Sequence, residues 1–243
     1  MDEATYRSGM TAMADLVGRL DDDQLLAPCP QCPGWTIRDV VAHVVHVFGE
    51  RIGGWPEPIA TDVLDAAMHA DRAVKDAAAT RRDEWIEAGV DAFRSRPFSD
   101  VLAAWDTAVA EADEVMWTLV TDLAVHLADI EEALAVAGTR DGAHVAAALG
   151  RFTWACNEHL RNRNLPTVAI IGTDPEFEGG DLDSPHRVTG TTYELLRTIT
   201  GRRSRREADR ALDWGTTPEP VRAVLPYYDW LDTDSGVELS LTG

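Results

Sequence analysis

The feature that most constrains the fold lies between Val115 and Ala137, where Leu119, Leu123, Leu127, Ile130 and Leu134 recur at three- and four-residue intervals. With about 100° of rotation per residue, this spacing lines one side of an α-helix with apolar groups, and such a stripe must be buried against other elements. Gly138 is placed as its C-terminal stop. A second stripe, Ile37, Val41, Val44 and Phe48, follows Thr36, whose hydroxyl can cap a helix while Asp39 returns the bond three residues later. That pattern predicts a helix from Ile37 to Phe48, broken by the Gly53-Gly54-Trp55-Pro56-Glu57-Pro58 run. Residues 2 to 20 show helical spacing, and a polar, Ala-rich stretch from Thr61 to Arg96 reads as helical. Further helices are expected from Ser99 or Asp100 onward and from Gly142 to Arg161.

After Pro166 the texture changes. Thr167 to Ile171 is a β-branched run, a Gly/Asp/Pro-rich loop follows, and Arg187-Val188-Thr189-Gly190 leads into a helical stretch from Thr192 to Thr200. The pattern predicts an α-helical bundle over residues 1–163 and a small α+β domain over 164–243.

A chain of 243 residues that is 45% hydrophobic can bury an ordinary core. Its 42 acidic against 22 basic residues give a formal charge of −20, which repels phosphate backbones and anionic membrane surfaces, so no nucleic-acid and no membrane partner is expected. Apolar runs such as Val44 to Phe48 are too short to span a bilayer. Three cysteines, Cys29, Cys32 and Cys156, do not make a disulfide framework, and a reducing, cytoplasmic setting is expected.

The chemistry-bearing residues cluster in two places. Cys29-Pro30-Gln31-Cys32 has the spacing of half a zinc ribbon, but no second Cys-x-x-C completes it, and two prolines break the local geometry a thioredoxin-like element needs. A loop-and-core role is expected for the pair. On the helix after Thr36, His43 projects beside Val40 and Val47 toward the bundle interior, whereas His46 points away from the stripe. On the later helix, Asp122 and His126 stand at i and i+4 and share one face at the stripe's edge. Burying an unpartnered carboxylate is costly, so the pair needs compensation. Two readings fit: a simple Asp–His hydrogen bond at a half-exposed edge, or a metal ion between facing helices. His69, His144, His159 and His186 lack a comparable setting and are expected at the surface or in loops.

The run Cys32-Pro33-Gly34-Trp35-Thr36-Ile37-Arg38-Asp39-Val40-Val41-Ala42-His43 resembles the signature of the mycothiol-dependent maleylpyruvate isomerase family within the DinB-like superfamily. Asp122 through Asp129 occupies the place of that family's Glu-x-x-x-His element. The segments Thr189 to Leu196, Gly201-Arg202-Arg203 and Leu212-Asp213-Trp214 are similar to its C-terminal part. The resemblance implies a DinB-like four-helix bundle followed by a small α+β domain, with a divalent metal, usually zinc, held by His43, Asp122 and His126. Asp122 departs from the family's Glu and is shorter by one methylene, roughly 1.5 Å of reach. Asp129, three residues after His126, is a candidate acceptor for a ligand imidazole N–H, or else a solvated helix carboxylate.

The resemblance implies that mycothiol serves as cosubstrate: its thiol adds to a conjugated double bond, rotation follows, and the thiol leaves. Relatives transfer the thiol permanently, so an isomerase or an S-transferase acting on a small electrophile is expected. By motif position Arg202 is the candidate catalytic and cofactor-binding residue, holding a substrate carboxylate or the thiol cofactor in a bidentate fork, unless it belongs to an exposed basic run. The competing expectations are a metal-free module with a decayed site that binds a small molecule or protein, and a metal-dependent hydrolase using a bound water. A monomer or homodimer is expected in each case.

Overall fold

A computed structural model describes residues 3–53, 72–112, 117–237 and 239. In chain order its helices are α1 (Glu3–Val17), α2 (Asp22–Leu25), α3 (Ile37–Gly53), α4 (Arg72–Arg94), α5 (Phe98–Glu111), α6 (Trp117–Ala133) and α7 (Ala143–Asn162). Then come β1 (Ala169–Thr173), β2 (Glu176–Gly180), β3 (Arg187–Gly190), α8 (Thr192–Ile199), α9 (Arg205–Ala211) and α10 (Glu219–Val224). The expected breaker after Gly53, the 61–71 part of the Ala-rich stretch, His69 and the expected start at Val115 lie outside the described residues.

Local chemistry sets the ends of these elements. The reciprocal Thr36–Asp39 pair caps α3: the Asp39 amide donates to Thr36 Oγ1 (3.2 Å) and the Thr36 amide to Asp39 Oδ2 (3.0 Å). The helix runs past the expected Phe48 to Gly53. Helix α6 ends four residues before the expected Ala137. Ala135 takes a left-handed φ of 52°, with Ala135 N–H donating to Glu132 O (3.1 Å) and Val136 N–H to Glu131 O (3.0 Å). This is the paired bonding of a Schellman cap, so the stop lies upstream of Gly138. Gly138 itself has φ 68°, and a Cβ there would strike the Glu131 carboxylate, which accepts from the Thr139 amide (2.9 Å). The first strand begins two residues later than the β-branched run because the Asn157 side chain occupies the Val168 backbone, donating to its carbonyl (3.1 Å) and accepting from its amide (2.8 Å).

Two cores result. The first joins α1, α3, α5 and α6 around Met13, Ile37, Val44, Phe48, Trp105 and Leu123, all buried. Both sequence stripes lie within it. The second combines Ala124, Val125 and Ala128 of α6 and Leu149 and Cys156 of α7 with Ile170, Leu195 and Leu196 from beyond residue 163. Helix α6 therefore belongs to both cores and is buried from Leu119 to Glu131 except at Asp122. The small sheet has the order β2-β1-β3, with β1 antiparallel to β2 and parallel to β3. Close approach of α1 to α6 is allowed by Gly9, where a Cβ would lie 3.1 Å from Leu123. Among the described residues no helix is long and apolar enough to cross a membrane.

His144, expected at the surface or in a loop, is instead buried at the first turn of α7. Its Nε2 lies 3.3 Å from Thr139 Oγ1, under the Glu131 turn. His159 is half-buried, and His186 sits in a loop with Nδ1 3.0 Å from Thr216 O.

Candidate metal centre

Helix α3 presents His43 about two turns after its cap, and α6 presents Asp122 and His126 one turn apart, so contact between the two helices brings three donors together. His43 Nε2 lies 3.3 Å from Asp122 Oδ1, and His126 Nε2 lies 3.7 Å from the same oxygen. The two imidazole rings stand edge to face with centroids 4.7 Å apart. One donor atom from each residue falls within 4.8 Å of the others. Two ligands bound about 2.1 Å from a tetrahedral zinc stand about 3.4 Å apart, so the donors have the spacing of a coordination edge. Asp122, one methylene shorter than a glutamate, still brings one oxygen within 3.7 Å of both ring nitrogens. His46 faces elsewhere and packs on Trp85.

Burial is graded across the site. The side chains of His43 and His126 are 5% and 11% exposed, whereas Asp122 keeps 25%, so the cluster opens on its carboxylate side. Trp35 covers His43 from the other side at a ring separation of 5.1 Å, its indole N–H held by Glu87 (3.0 Å). Burial lowers the pKa of His43 against the pull of Asp122, so the ring is neutral at pH 7. Burial acts to raise the Asp122 carboxyl, but His43, His126 and Arg202 overcome it and hold the group below its usual range.

Proton positions follow from the hydrogen bonds. His126 Nδ1 lies 3.1 Å from Asp129 Oδ2. Asp129 is fully buried, and although burial acts to raise its pKa, Arg202, Arg197 and His126 hold it well below the carboxylate range. An ionised carboxylate only accepts, so Nδ1 carries a proton, and Nε2 is the ring nitrogen turned toward Asp122. At 3.7 Å that contact is too long for a hydrogen bond. Asp122 Oδ1 thus stands against two ring nitrogens, His43 Nε2 and His126 Nε2, at the spacing of ligands around a shared ion.

A second cluster, Cys32, His126 and Asp129, also has its donor atoms close together. The Cys32 thiol donates to Asp129 Oδ2 (3.4 Å) and lies 3.7 Å from His126 Nδ1, while the Cys29 thiol donates to the Asp129 carbonyl (3.7 Å). Here every polar atom has a proton to give or take, so the cluster is complete as a hydrogen-bonded group. The hydrogen bond with Cys29, burial and Asp129 together push the Cys32 thiol far above its ordinary range. Both cysteines are core residues, and sequence spacing gave no sign that they would meet Asp129.

Arg202 lies three residues past the end of α8. Gly201, at φ 71°, closes that helix by a Schellman cap in which Arg202 N–H donates to Arg197 O (2.8 Å) and Gly201 N–H to Thr198 O (3.0 Å). The turn aims the Arg202 side chain back at α6, where Nη2 donates to Asp129 Oδ2 (3.4 Å) and Nη1 to Thr200 O (2.9 Å). Its guanidinium also lies 5.6 Å from the centroid of the exposed Tyr228 ring, and its buried Nε has no partner among the described residues. Arg202 is therefore part of the site's wall rather than of an exposed basic run.

The fold resembles a crystal structure of the mycothiol-dependent maleylpyruvate isomerase, with a TM-score of 0.51 at 16% identity over 89% of this chain and 93% of that one. A structure of a point mutant of such an isomerase aligns with a TM-score of 0.48 at 15% identity, over the same shares. At 16% identity the first likeness is one of fold. No curated protein matches the chain in a sequence comparison. Residues 6–131, just over half of the chain and including His43, Asp122, His126 and Asp129, match the model of the mycothiol maleylpyruvate isomerase N-terminal domain, and the chain belongs to that family.

Proposed function

We propose that this DinB-like bundle holds a divalent cation, zinc by the chemistry of its donors, between His43, Asp122 and His126, and that the protein uses mycothiol either to isomerise a small electrophile or to transfer the thiol to it. The observation that carries the reading is the convergence of His43 Nε2, Asp122 Oδ1 and His126 Nε2, with the carboxylate oxygen 3.3 Å and 3.7 Å from the two ring nitrogens. Two imidazoles and one carboxylate are a catalytic zinc donor set that leaves a position open. A divalent ion at that point would supply the means to keep a thiol deprotonated at neutral pH.

The chain's own residues then have separate tasks. Asp129 holds the proton on His126 Nδ1 and so keeps Nε2 available as a donor atom. Trp35 shields His43 from water. Arg202, with its free Nε and its guanidinium beside Tyr228, binds a carboxylate of the electrophile or of the thiol. Isomerase and transferase differ only in whether the added thiol leaves again after rotation about the former double bond.

Metal analysis of the purified protein tests this reading. Stoichiometric zinc or another divalent ion is expected in the wild type, with loss of the ion in His43→Ala and turnover of an activated alkene only when mycothiol is added. Absence of bound metal, with His43→Ala behaving as wild type, would leave a binding module in place of the enzyme. Metal-dependent turnover without the thiol would point to hydrolysis by a bound water.

A further inference from the structure

Beyond the three donors, Asp129 is the most heavily bonded group near the centre, and what holds it comes from the C-terminal part of the chain. Its Oδ2 accepts from His126 Nδ1, from the Cys32 thiol and from Arg202. Its Oδ1 accepts from Arg197 Nη2 at 2.7 Å, an ion pair with both side chains wholly buried. Arg197, on α8, grips α6 at three successive points: Val125 O through Nη1 (3.3 Å), Asp129 Oδ1 through Nη2, and Glu132 through Nε (3.1 Å) and Nη2 (2.7 Å). A guanidinium is a rigid planar fork, so this grip fixes the rotation of the Asp129 carboxylate. With Oδ1 committed to Arg197, Oδ2 is the oxygen turned toward His126.

We infer that Arg197 is a positioning residue for the centre: it orients Asp129 so that His126 is held as the Nδ1–H tautomer with Nε2 facing Asp122 and His43. The inference rests on the metal reading above, and Arg197 itself touches none of the three donors. The same network contains its natural control. Arg203 is equally buried and bonds Glu132 (2.8 Å) and Glu194 (2.7 and 3.1 Å), with no contact to Asp129. A purely structural role would make the two arginines equivalent, whereas positioning makes them differ.

The test compares Arg197→Met with Arg203→Met. Because Arg197→Met alone leaves Glu132 short of a partner and can fail to fold, the double variant Arg197→Met/Glu132→Met is made as well. In metal-free protein, nitrogen-15 NMR of the His126 ring is expected to show a single Nδ1–H tautomer in wild type and Arg203→Met, and mixed tautomers in both variants lacking Arg197. Zinc affinity, measured by competition with a chelator, is expected to fall about 10- to 100-fold without Arg197, because an Asp129 turned out of place is lost to His126 as an outer hydrogen-bond partner, and to stay at the wild-type level in Arg203→Met. A wild-type tautomer and affinity without Arg197, or equal losses in the two single variants, would overturn the assignment. If wild-type protein takes up no zinc, the metal reading fails instead, while the tautomer of the metal-free ring still decides what Arg197 does.

Discussion

Glu132 is the residue whose removal tests most directly how the two cores are joined. Its carboxylate, 4% exposed, accepts from Tyr193 Oη (3.0 Å), from Arg197 through Nε (3.1 Å) and Nη2 (2.7 Å), and from Arg203 Nη2 (2.8 Å). With Asp129 and Glu194 it balances Arg197, Arg202 and Arg203, three carboxylates against three guanidiniums. Glu132→Gln keeps the shape and leaves one buried positive charge uncompensated, a defect that costs about 3–5 kcal/mol. In a chain of this size each kcal/mol moves the melting temperature by about 2–4 °C, so a fall of about 6–20 °C is expected at pH 7. The loss should also depend on pH. Burial acts to raise the Glu132 carboxyl, but Arg197 and Arg203 outweigh it and lower the folded-state pKa. A carboxyl depressed in the folded state contributes its full stabilisation above its unfolded value of about 4.3, and loses it as pH falls through the lower folded value. The gap between wild type and Glu132→Gln should therefore be widest near neutrality and narrow in acid. Thermal and urea unfolding of both proteins from pH 7 down to pH 3 measure it. A variant melting within about 2 °C of wild type at pH 7, or a gap that does not change with pH, would refute the view that a charged network ties α6 to the C-terminal segment.

Two further changes examine the first core and a helix start. Trp105 is wholly buried and donates its indole N–H to Tyr6 Oη (2.9 Å), so Trp105→Ala should cost about 3–5 kcal/mol in urea titrations, and a loss under 1 kcal/mol would refute its place in the core. Ser204 caps α9 in a reciprocal box with Glu207 and donates to Asp234 (2.6 Å), so Ser204→Ala should cost about 1–2 kcal/mol with an unchanged denaturant slope.

Much of the fold could be read from local pattern, because helices are short-range objects. The Leu119 to Leu134 and Ile37 to Phe48 stripes both lie in the cores they predict, and the Thr36–Asp39 pair starts α3 where its spacing says it should. Errors fell where a local signal lost to a tertiary one. Gly138 looked like the stop of α6, yet Ala135 takes that part, and the buried Glu131 turn explains why Gly138 is needed nearby. His144 looked like a surface residue, but α7 turns its first residues inward against α1.

The same division runs through the candidate centre. The sequence by itself determined which way each side chain leaves its helix: His43 inward and His46 away, Asp122 and His126 on one face, because rotation per residue is set by the backbone. Only the tertiary structure decided that these faces meet, that Asp122 reaches two rings in spite of its length, and that Cys32, Arg197 and Arg202 converge on Asp129. Those contacts join residues 68 to 97 positions apart. A charged residue such as Arg197, on a helix buried on every side, carries no periodic signal of its own. Its partner is fixed by how the second core packs against α6, and that packing is a property of the whole chain.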